Sequence, residues 1–241
     1  MLPNSYVFDI GNSRLKVGQF KDGRLVHLET YALSERPEKG LEVDVPSIIS
    51  SVNDAYQLDW VNFRRSPLIF DRGCALPIAL DYETPETLGL DRIAGAIGAW
   101  KEFQQTDVLL IDAGTCINYD FISAAGVYKG GVISPGLKIR FRSMHDYTGA
   151  LPDLSESWQD VASMLPGTST IKCMHQGVLT GILSEMEGFI SFFKKDSQQM
   201  SVILTGGDAY AFESSLGEGI FVRPKIVLEG LNLILEHNVA L

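Results

Sequence analysis

Phe8-Asp9-Ile10-Gly11-Asn12-Ser13-Arg14-Leu15-Lys16 is the stretch that decides the fold of this chain. It continues an apolar segment, so it predicts a β-strand that ends in a tight turn. The turn exposes backbone N–H groups, and because Gly11 has no Cβ to block them, the turn can hold a phosphate. Lys16 can add a positive charge to the same anion, and Asp9 can hold a divalent metal. A plain hairpin bend explains this stretch alone equally well.

A second copy of the turn favours the phosphate-binding interpretation. Val108-Leu109-Leu110-Ile111 is another apolar strand, and Asp112-Ala113-Gly114-Thr115 follows it. An internal repeat of this kind determines the architecture. The matching residues all lie 103 positions apart: Asp9 with Asp112, Gly11 with Gly114, Asn12 with Thr115, and Gly23 with Gly126. The repeat predicts two related domains, 1–106 and 107–241, that grip one polyphosphate across a cleft.

Composition limits the classes of protein to consider. The chain has 241 residues, 45% of them hydrophobic and 21% charged, which is typical of a globular protein. Its net charge of −10 disfavours a nucleic-acid-binding surface. No apolar run approaches the roughly 20 residues of a membrane span, and no signal peptide is evident. The three cysteines are sparse and lack a CxxC motif, so reduced thiols and a cytoplasmic location are expected.

Hydrophobic periodicity predicts an α/β chain. The predicted strands are 6–8, 15–20, 25–31, a short one within 45–52 that ends at Asn53-Asp54, 58–63, 76–80, 108–111, 116–122, 127–132, 202–204 and 221–222. The predicted helices are 93–103, one after Leu137, a long one capped by Ser169 or Thr170, 208–214 and 228–237. The expected core face of the long helix is Ile171, Met174, Val178, Ile182, Met186 and Ile190. Loops are expected at 34–40, 64–67 and 146–168.

Several residues beyond the two turns have more than one interpretation. Asp91 precedes a predicted helix, where aspartate is a good N-cap, but a carboxylate there can also act as a general base. Arg92 is either a solvated helix residue or an anion clamp. Gly206-Gly207 is either a simple strand-to-helix turn or a place where a bulky ligand approaches the backbone. The histidines have no metal-ligand spacing, and the chain lacks the P-loop motif.

In their order along the chain, these stretches resemble type III pantothenate kinases, which belong to the acetate and sugar kinase and actin-like ATPase superfamily. The resemblance extends from residue 9 to about residue 207. Its motifs are D-x-G-N-[ST]-x-x-K from Asp9 to Lys16, Y-x-x-P…G-x-D-R from Tyr82 to Arg92, and D-x-G-T from Asp112 to Thr115. Further matches are G-G-x-I-x-P-G from Gly130 to Gly136 and the pair Thr170 and Gly177.

The resemblance implies two duplicated actin-like ATPase domains of the ribonuclease H-like type, with a cleft between them. It implies ATP-dependent phosphorylation of pantothenate, with Asp91 as base, which then outweighs the N-cap interpretation. It implies Mg²⁺ held by Asp9, and K⁺ or NH₄⁺ held by Asp112. The implied substrate-binding residues are Tyr82, Gly89, Leu90, Arg92 and Thr170. The implied ATP-binding residues are Asp9, Gly11, Asn12, Ser13, Lys16, Gly114, Thr115, Gly206 and Gly207. It also implies a homodimer, with Thr170 near the interface.

The chain departs from the family pattern in a few places. Cys116 stands where a small residue such as Ala is expected, Ser169 stands where the family often has Asn, and residues 34–80 fit no family motif. Two other functions remain open from the residues alone. One is a kinase of the same fold that acts on another small alcohol or sugar, because fold does not fix substrate. The other is a non-catalytic regulator that has kept the ATP-binding fold.

Overall fold

The structure is a computed structural model, and it describes residues 1–35, 37, 39–52, 56–160, 165–217 and 219–240. The predicted strand end at Asn53-Asp54 lies outside these ranges. The strands are β1 Asn4–Ile10, β2 Arg14–Lys21, β3 Arg24–Ala32, β4 Leu41–Val43, β5 Ser47–Ser51, β6 Val61–Phe63, β7 Leu68–Ile69, β8 Ala79–Leu80, β9 Val108–Ala113, β10 Cys116–Ser123, β11 Val127–Pro135, β12 Ser201–Thr205 and β13 Ile220–Val222. The α-helices are α1 Leu90–Glu102, α2 Leu137–Asp146, α3 Thr170–Lys194 and α4 Ile226–Val239.

The first compact unit comprises residues 1–104, 125–129 and 225–241. Its main sheet has the order β3-β2-β1-β5-β7, in which β1 is antiparallel to β2 and parallel to β5. Val7, Phe8 and Ile10 of β1 are buried, because the sheet has apolar cover on both faces. Helices α1 and α4 pack closely: a Cβ added to Gly230 of α4 would lie 1.8 Å from the carbonyl oxygen of Ala94.

The second compact unit comprises residues 105–124 and 130–224. Its sheet has the order β11-β10-β9-β12-β13, with β9 antiparallel to β10 and parallel to β12. The segment 108–111 of β9 is completely buried, which explains its continuous apolar sequence. Helix α3 contributes Met174, Val178, Ile182 and Met186 to the core of this unit.

The two units repeat the same strand order and the same pattern of antiparallel and parallel pairing. The repeat extends to backbone conformation, since Gly23 and Gly126 end the second turn of their copies with φ of 72° and 74°. Glycine adopts this left-handed conformation without a steric penalty. The structure therefore confirms the predicted α/β class and its duplicated topology. The compact units are discontinuous in sequence, and the division into 1–106 and 107–241 stays a prediction about the duplicated halves.

Some element predictions are wrong. Ile171 is 43% exposed, because the core contacts of α3 begin at Met174. The helix predicted over 208–214 is only a 3-10 turn at Ala209–Ala211, since the serines and glycine that follow have low helix propensity. Strands β4 and β7 were not predicted, and β7 begins directly after the loop expected at 64–67. Among the residues that the structure describes, no helix combines the length and apolar character that a membrane crossing requires.

Candidate active site

The first phosphate turn joins β1 to β2. The N–H of Gly11 donates to the carbonyl of Arg14 at 2.9 Å, which closes the turn. The side chains of Asn12 and Ser13 are exposed at its tip. In the antiparallel register, Asp9 lies directly opposite Lys16, so a carboxylate and an ammonium share one face of the sheet at the base of the turn. The strand and tight turn predicted from this stretch are therefore present, with the Gly11 N–H bonded inside the turn; phosphate binding there stays a prediction.

The charge environment of Asp9 joins the first turn to the segment at the start of α1. Burial raises the pKa of the Asp9 carboxyl, Lys16 opposes that shift, and the negative charge of Asp91 adds to it. Asp9, Lys16 and Asp91 are thus close enough for their charges to interact, although Asp91 lies far away in sequence. A partly buried carboxyl beside a second carboxylate and one ammonium is typical of sites that bind a cation or handle protons.

Asp91 is not the N-cap of α1. The helix begins at Leu90, and its N-cap is Gly89, which makes no side-chain capping bond. Asp91 lies in the first turn, where its Oδ1 accepts the N–H of Arg92 at 2.9 Å. A Cβ on Gly89 would lie 2.5 Å from that same oxygen, so the glycine leaves the space that the carboxylate occupies. The N-cap interpretation was wrong because Asp91 already lies inside the helix and accepts from the next residue, whereas a cap accepts from an N–H two or three residues further on.

The rest of the G-x-D-R segment is held firmly. The Arg92 side chain is buried, with 9% of its surface exposed, and Leu88 is 1% exposed. The guanidinium of Arg72 donates to the Leu88 carbonyl. Tyr82 packs edge-on against Tyr128, with ring centroids 5.8 Å apart.

A cavity of about 260 Å³ lies beside this segment. Its lining includes Pro85, Glu86, Leu90 and residues from 70 to 80. Asp9, Lys16 and Asp91 do not line this cavity.

The second phosphate turn joins β9 to β10 and is one residue shorter than the first. The N–H of Gly114 donates to the carbonyl of Cys116 at 3.0 Å, and Asp112 pairs with Asn118. The acid of the second copy therefore has an amide opposite it, where the first copy has Lys16. Thr115 is exposed at the tip. The two turns repeat a backbone shape while differing in the charge that each brings to a ligand.

The loop after β12 lies directly against this second turn. Gly206 has φ of 97°, and a Cβ there would lie 2.3 Å from the carbonyl oxygen of Ala113 and 2.5 Å from Oδ1 of Asp112. The N–H of Asp208 donates to the same Ala113 carbonyl at 2.9 Å. Gly207 is exposed and has nothing within 4 Å of an added Cβ. The structure thus brings the predicted Gly206-Gly207 pair to Asp112.

The structure also places residues at the second turn that sequence reasoning missed. Asp208 is half-buried, and burial raises the pKa of its carboxyl while the charge of Lys138 lowers it. The only sequence signal is that Asp208 directly follows the glycine pair.

The start of α3 carries another predicted site residue. Thr170 is the first residue of the helix and is exposed. Ser169 is the N-cap, and its Oγ accepts the N–H of Lys172 at 3.4 Å. Over the described part of the chain, no group of three or more His, Cys, Asp or Glu is arranged to hold a metal ion.

Known proteins resemble this chain in sequence and in fold. The profile of a family described as type III pantothenate kinase matches residues 6–191. A type III pantothenate kinase of Cytophaga hutchinsonii is 38% identical over 97% of this chain and 99% of its own length. Among solved structures, a Campylobacter jejuni protein, provisionally described as a Baf family transcriptional activator, is 20% identical with a TM-score of 0.61, covering 98% of this chain and 100% of its own. A Listeria monocytogenes protein, provisionally described as an N-acetylmannosamine kinase, is 14% identical with a TM-score of 0.54, covering 97% and 99%. At these low identities, both solved structures show only that this chain shares their fold.

Proposed function

The chain belongs to the type III pantothenate kinase family, and on that premise we propose that it transfers the γ-phosphoryl group of ATP to the 4′-hydroxyl of pantothenate, in coenzyme A biosynthesis. The observation that carries the proposal is the electrostatic proximity of Asp9, Lys16 and Asp91. Phosphoryl transfer requires mainly positioning and charge neutralisation. Lys16 brings positive charge to the phosphates directly, and a carboxylate such as Asp9 can bring more by holding a divalent cation, while Asp91 lies close enough to act on the substrate hydroxyl.

Asp91 is the general base of this proposal. A base must lie within hydrogen-bond reach of the hydroxyl whose proton it takes. The bond from the Arg92 N–H to Oδ1 of Asp91 holds the carboxylate in one orientation, and the space left by Gly89 lets it adopt that orientation. Asp91 takes the proton of the attacking hydroxyl while Lys16 offsets the negative charge of the phosphates.

The phosphates of ATP are bound by the two turns. Gly11, Asn12, Ser13 and Lys16 act in the first turn, and Gly114 and Thr115 act in the second. Small exposed side chains at the tips of the turns are suited to phosphate oxygens, and the glycines leave room for a phosphate to approach the backbone. Gly206 and Gly207 border the adenine, and the exposed backbone of Gly207 supports this role because a flat ligand can approach it closely.

Two cations complete the proposal. Mg²⁺ takes one or two protein carboxylates beside substrate phosphates and waters, and Asp9 fits such a site because its partly buried carboxyl lies near a second carboxylate. When bound, Mg²⁺ neutralises charge on the phosphates. Asp112 is the proposed ligand of K⁺ or NH₄⁺, since carboxylate and carbonyl oxygens meet at the end of β9 where Gly206 packs.

Pantothenate is held by Tyr82, Gly89, Leu90, Arg92 and Thr170 in this proposal. Arg92 provides the positive charge for the pantothenate carboxylate, and bidentate pairing of a guanidinium with a carboxylate gives such a contact its specificity. Thr170 is exposed at the N-terminus of α3, where its hydroxyl is accessible to a ligand. A cytoplasmic homodimer remains the expectation for the assembled enzyme.

Asp91→Asn tests the assignment of the base. The amide keeps the size of the side chain and its bond to the Arg92 N–H, so folding and substrate binding should persist. Turnover should fall by roughly 10²–10⁴-fold, the usual scale for loss of a general base. Calorimetric titration with pantothenate and a non-hydrolysable ATP analogue checks that binding survives. Turnover close to that of the wild type, with binding intact, would remove Asp91 from the role of base.

A further inference from the structure

A network of hydrogen bonds lies next to the second phosphate turn and involves side chains that play no part in the proposed chemistry. Its centre is Glu185 of α3. The carboxylate accepts the Tyr119 hydroxyl at 2.9 Å, the Ser134 hydroxyl at 3.0 Å and Nη2 of Arg140 at 2.6 Å. The side chains of Arg140 and Glu185 are 21% and 24% exposed, so this ion pair is better shielded than a surface pair.

The network extends from Glu185 to the backbone of the turn in two steps. Nη2 of Arg140 also donates to the Ser134 hydroxyl, and its Nε donates to the Pro135 carbonyl, each at 2.8 Å. The next residue, Gly136, donates its N–H to the Thr115 carbonyl at 3.1 Å. A Cβ on Gly136 would lie 2.3 Å from the Gly114 carbonyl oxygen, so this segment touches the turn directly.

We propose that Arg140 and Glu185 are positioning residues that fix the second phosphate turn, and that they thereby set the affinity for the ATP phosphates. This inference rests on the proposed binding of ATP by Gly114 and Thr115. The two residues act through Ser134–Gly136. The turn itself is short and Thr115 is exposed at its tip, so its backbone and the Thr115 side chain need support from neighbouring segments to stay in one place.

The chemistry of the network requires an arginine and an ionised glutamate. The planar guanidinium donates along three directions at once, to the Pro135 carbonyl, the Ser134 hydroxyl and Glu185. A lysine ammonium at the same position keeps the charge but is a single point, so it loses the separate Nε bond. Burial and the adjacent Glu185 raise the pKa of Tyr119, which keeps its hydroxyl protonated and donating to that carboxylate.

Arg140→Lys and Glu185→Gln test the proposal. Binding of a non-hydrolysable ATP analogue and the two KM values are measured for each folded variant. Loss of a hydrogen bond to a charged group corresponds to roughly a tenfold change or more, so affinity for the analogue should fall about tenfold and the KM for ATP should rise to match. The KM for pantothenate should stay within about twofold, since the Tyr82–Arg92 segment is not part of this network.

Arg142 and Asp146 provide the matched control. They form an exposed i,i+4 ion pair on the same helix, at 3.4 Å. Arg142→Lys and Asp146→Asn should leave analogue binding and both KM values unchanged.

Ser134→Ala is a milder third test variant that keeps the ion pair between Arg140 and Glu185. It should also weaken analogue binding, by about threefold. It keeps the test decisive if either charged variant fails to fold.

The outcomes separate the network from the proposed function. Variants that unfold at lower temperature yet bind the analogue like the wild type overturn the positioning role. The positioning role is also overturned if the Arg142 and Asp146 variants lose as much affinity for the analogue as the Arg140 and Glu185 variants. If wild-type protein binds the analogue but does not phosphorylate pantothenate, the substrate assignment fails while the binding measurements still decide on Arg140 and Glu185.

Discussion

Replacing Gly206 by alanine should disrupt the second phosphate turn, whereas replacing its neighbour Gly207 should not. Gly206 has φ of 97°, and its added Cβ would lie 2.3 Å from the Ala113 carbonyl oxygen and 2.5 Å from Oδ1 of Asp112. Since a backbone atom cannot rotate away, either β9 or the 205–208 loop must move. At Gly207 φ is ordinary and an added Cβ meets nothing within 4 Å.

The magnitude follows from two contributions at Gly206. A left-handed conformation costs an alanine about 1–2 kcal/mol, and forcing extra volume against packed backbone costs about 1–3 kcal/mol. The free energy of unfolding should therefore fall by roughly 2–5 kcal/mol, which lowers the thermal midpoint of a chain of this size by roughly 5–15 °C. Gly207→Ala should change the free energy of unfolding by less than about 1 kcal/mol.

Thermal and urea unfolding, followed by circular dichroism, measure both variants beside the wild type. Gly206→Ala should also lose affinity for K⁺ and for ATP, because Asp112 is displaced. Gly207→Ala should keep its midpoint while its KM for ATP rises, since its new methyl group faces the proposed adenine site. The steric reasoning is refuted if both variants unfold at the same midpoint as the wild type.

Three further predictions concern other parts of the molecule. Gly230→Ala should lower the free energy of unfolding by about 2–4 kcal/mol in urea, because its Cβ would lie 1.8 Å from the Ala94 carbonyl oxygen, whereas Gly188→Ala, with nothing within 4 Å, should raise it by about 0.5–1 kcal/mol. Asp9→Asn should unfold at a higher midpoint than the wild type at pH 7 and at a similar one near pH 4. Burial raises the pKa of Asp9, so its ionisation lowers stability progressively as pH rises from its ordinary value towards the raised one. Turnover should be lost in buffer containing only Na⁺ and recovered with K⁺, in assays matched for ionic strength.

Each of these has a clear contrary result. Equal urea midpoints for Gly230→Ala and Gly188→Ala would contradict the close packing of α1 against α4. A gain in the Asp9→Asn variant that is as large near pH 4 as at pH 7 would show that the ionised carboxylate is not its cause. Equal turnover in Na⁺ and K⁺ would remove Asp112 from the role of monovalent cation ligand.

Local sequence patterns predicted the parts of the fold that depend on local physics. The apolar run 108–111 predicted a buried strand because parallel strands are covered on both faces. The 103-residue offset predicted the shared topology, because Gly23 and Gly126 end equivalent turns. The offset survives although the first turn of the second copy is one residue shorter, since its second turn is one residue longer. Because these two length differences cancel, the constant offset did not reveal that Asn118 is the structural counterpart of Lys16.

Long-range contacts could not be predicted from one sequence. Arg140 and Glu185 are 45 residues apart, and nothing in their local sequence indicates a pair. The influence of Asp91 on Asp9 likewise arises only when the fold brings the start of α1 close to the end of β1. The start of α1 was placed too late because its N-cap, Gly89, gives no side-chain capping signal. Strands of two or three residues, such as β4 and β7, are too short to show periodicity.

Pantothenate kinase activity is tested most simply by ADP release from the wild-type protein with ATP, Mg²⁺ and K⁺, measured with and without pantothenate. If the chain phosphorylates pantothenate, ADP release should depend on pantothenate, with one 4′-phosphopantothenate formed for each ADP, as determined by mass spectrometry. Slow release that is indifferent to pantothenate would contradict the substrate assignment. The fold would stand in that case, and sugars and other small alcohols would be the substrates to screen.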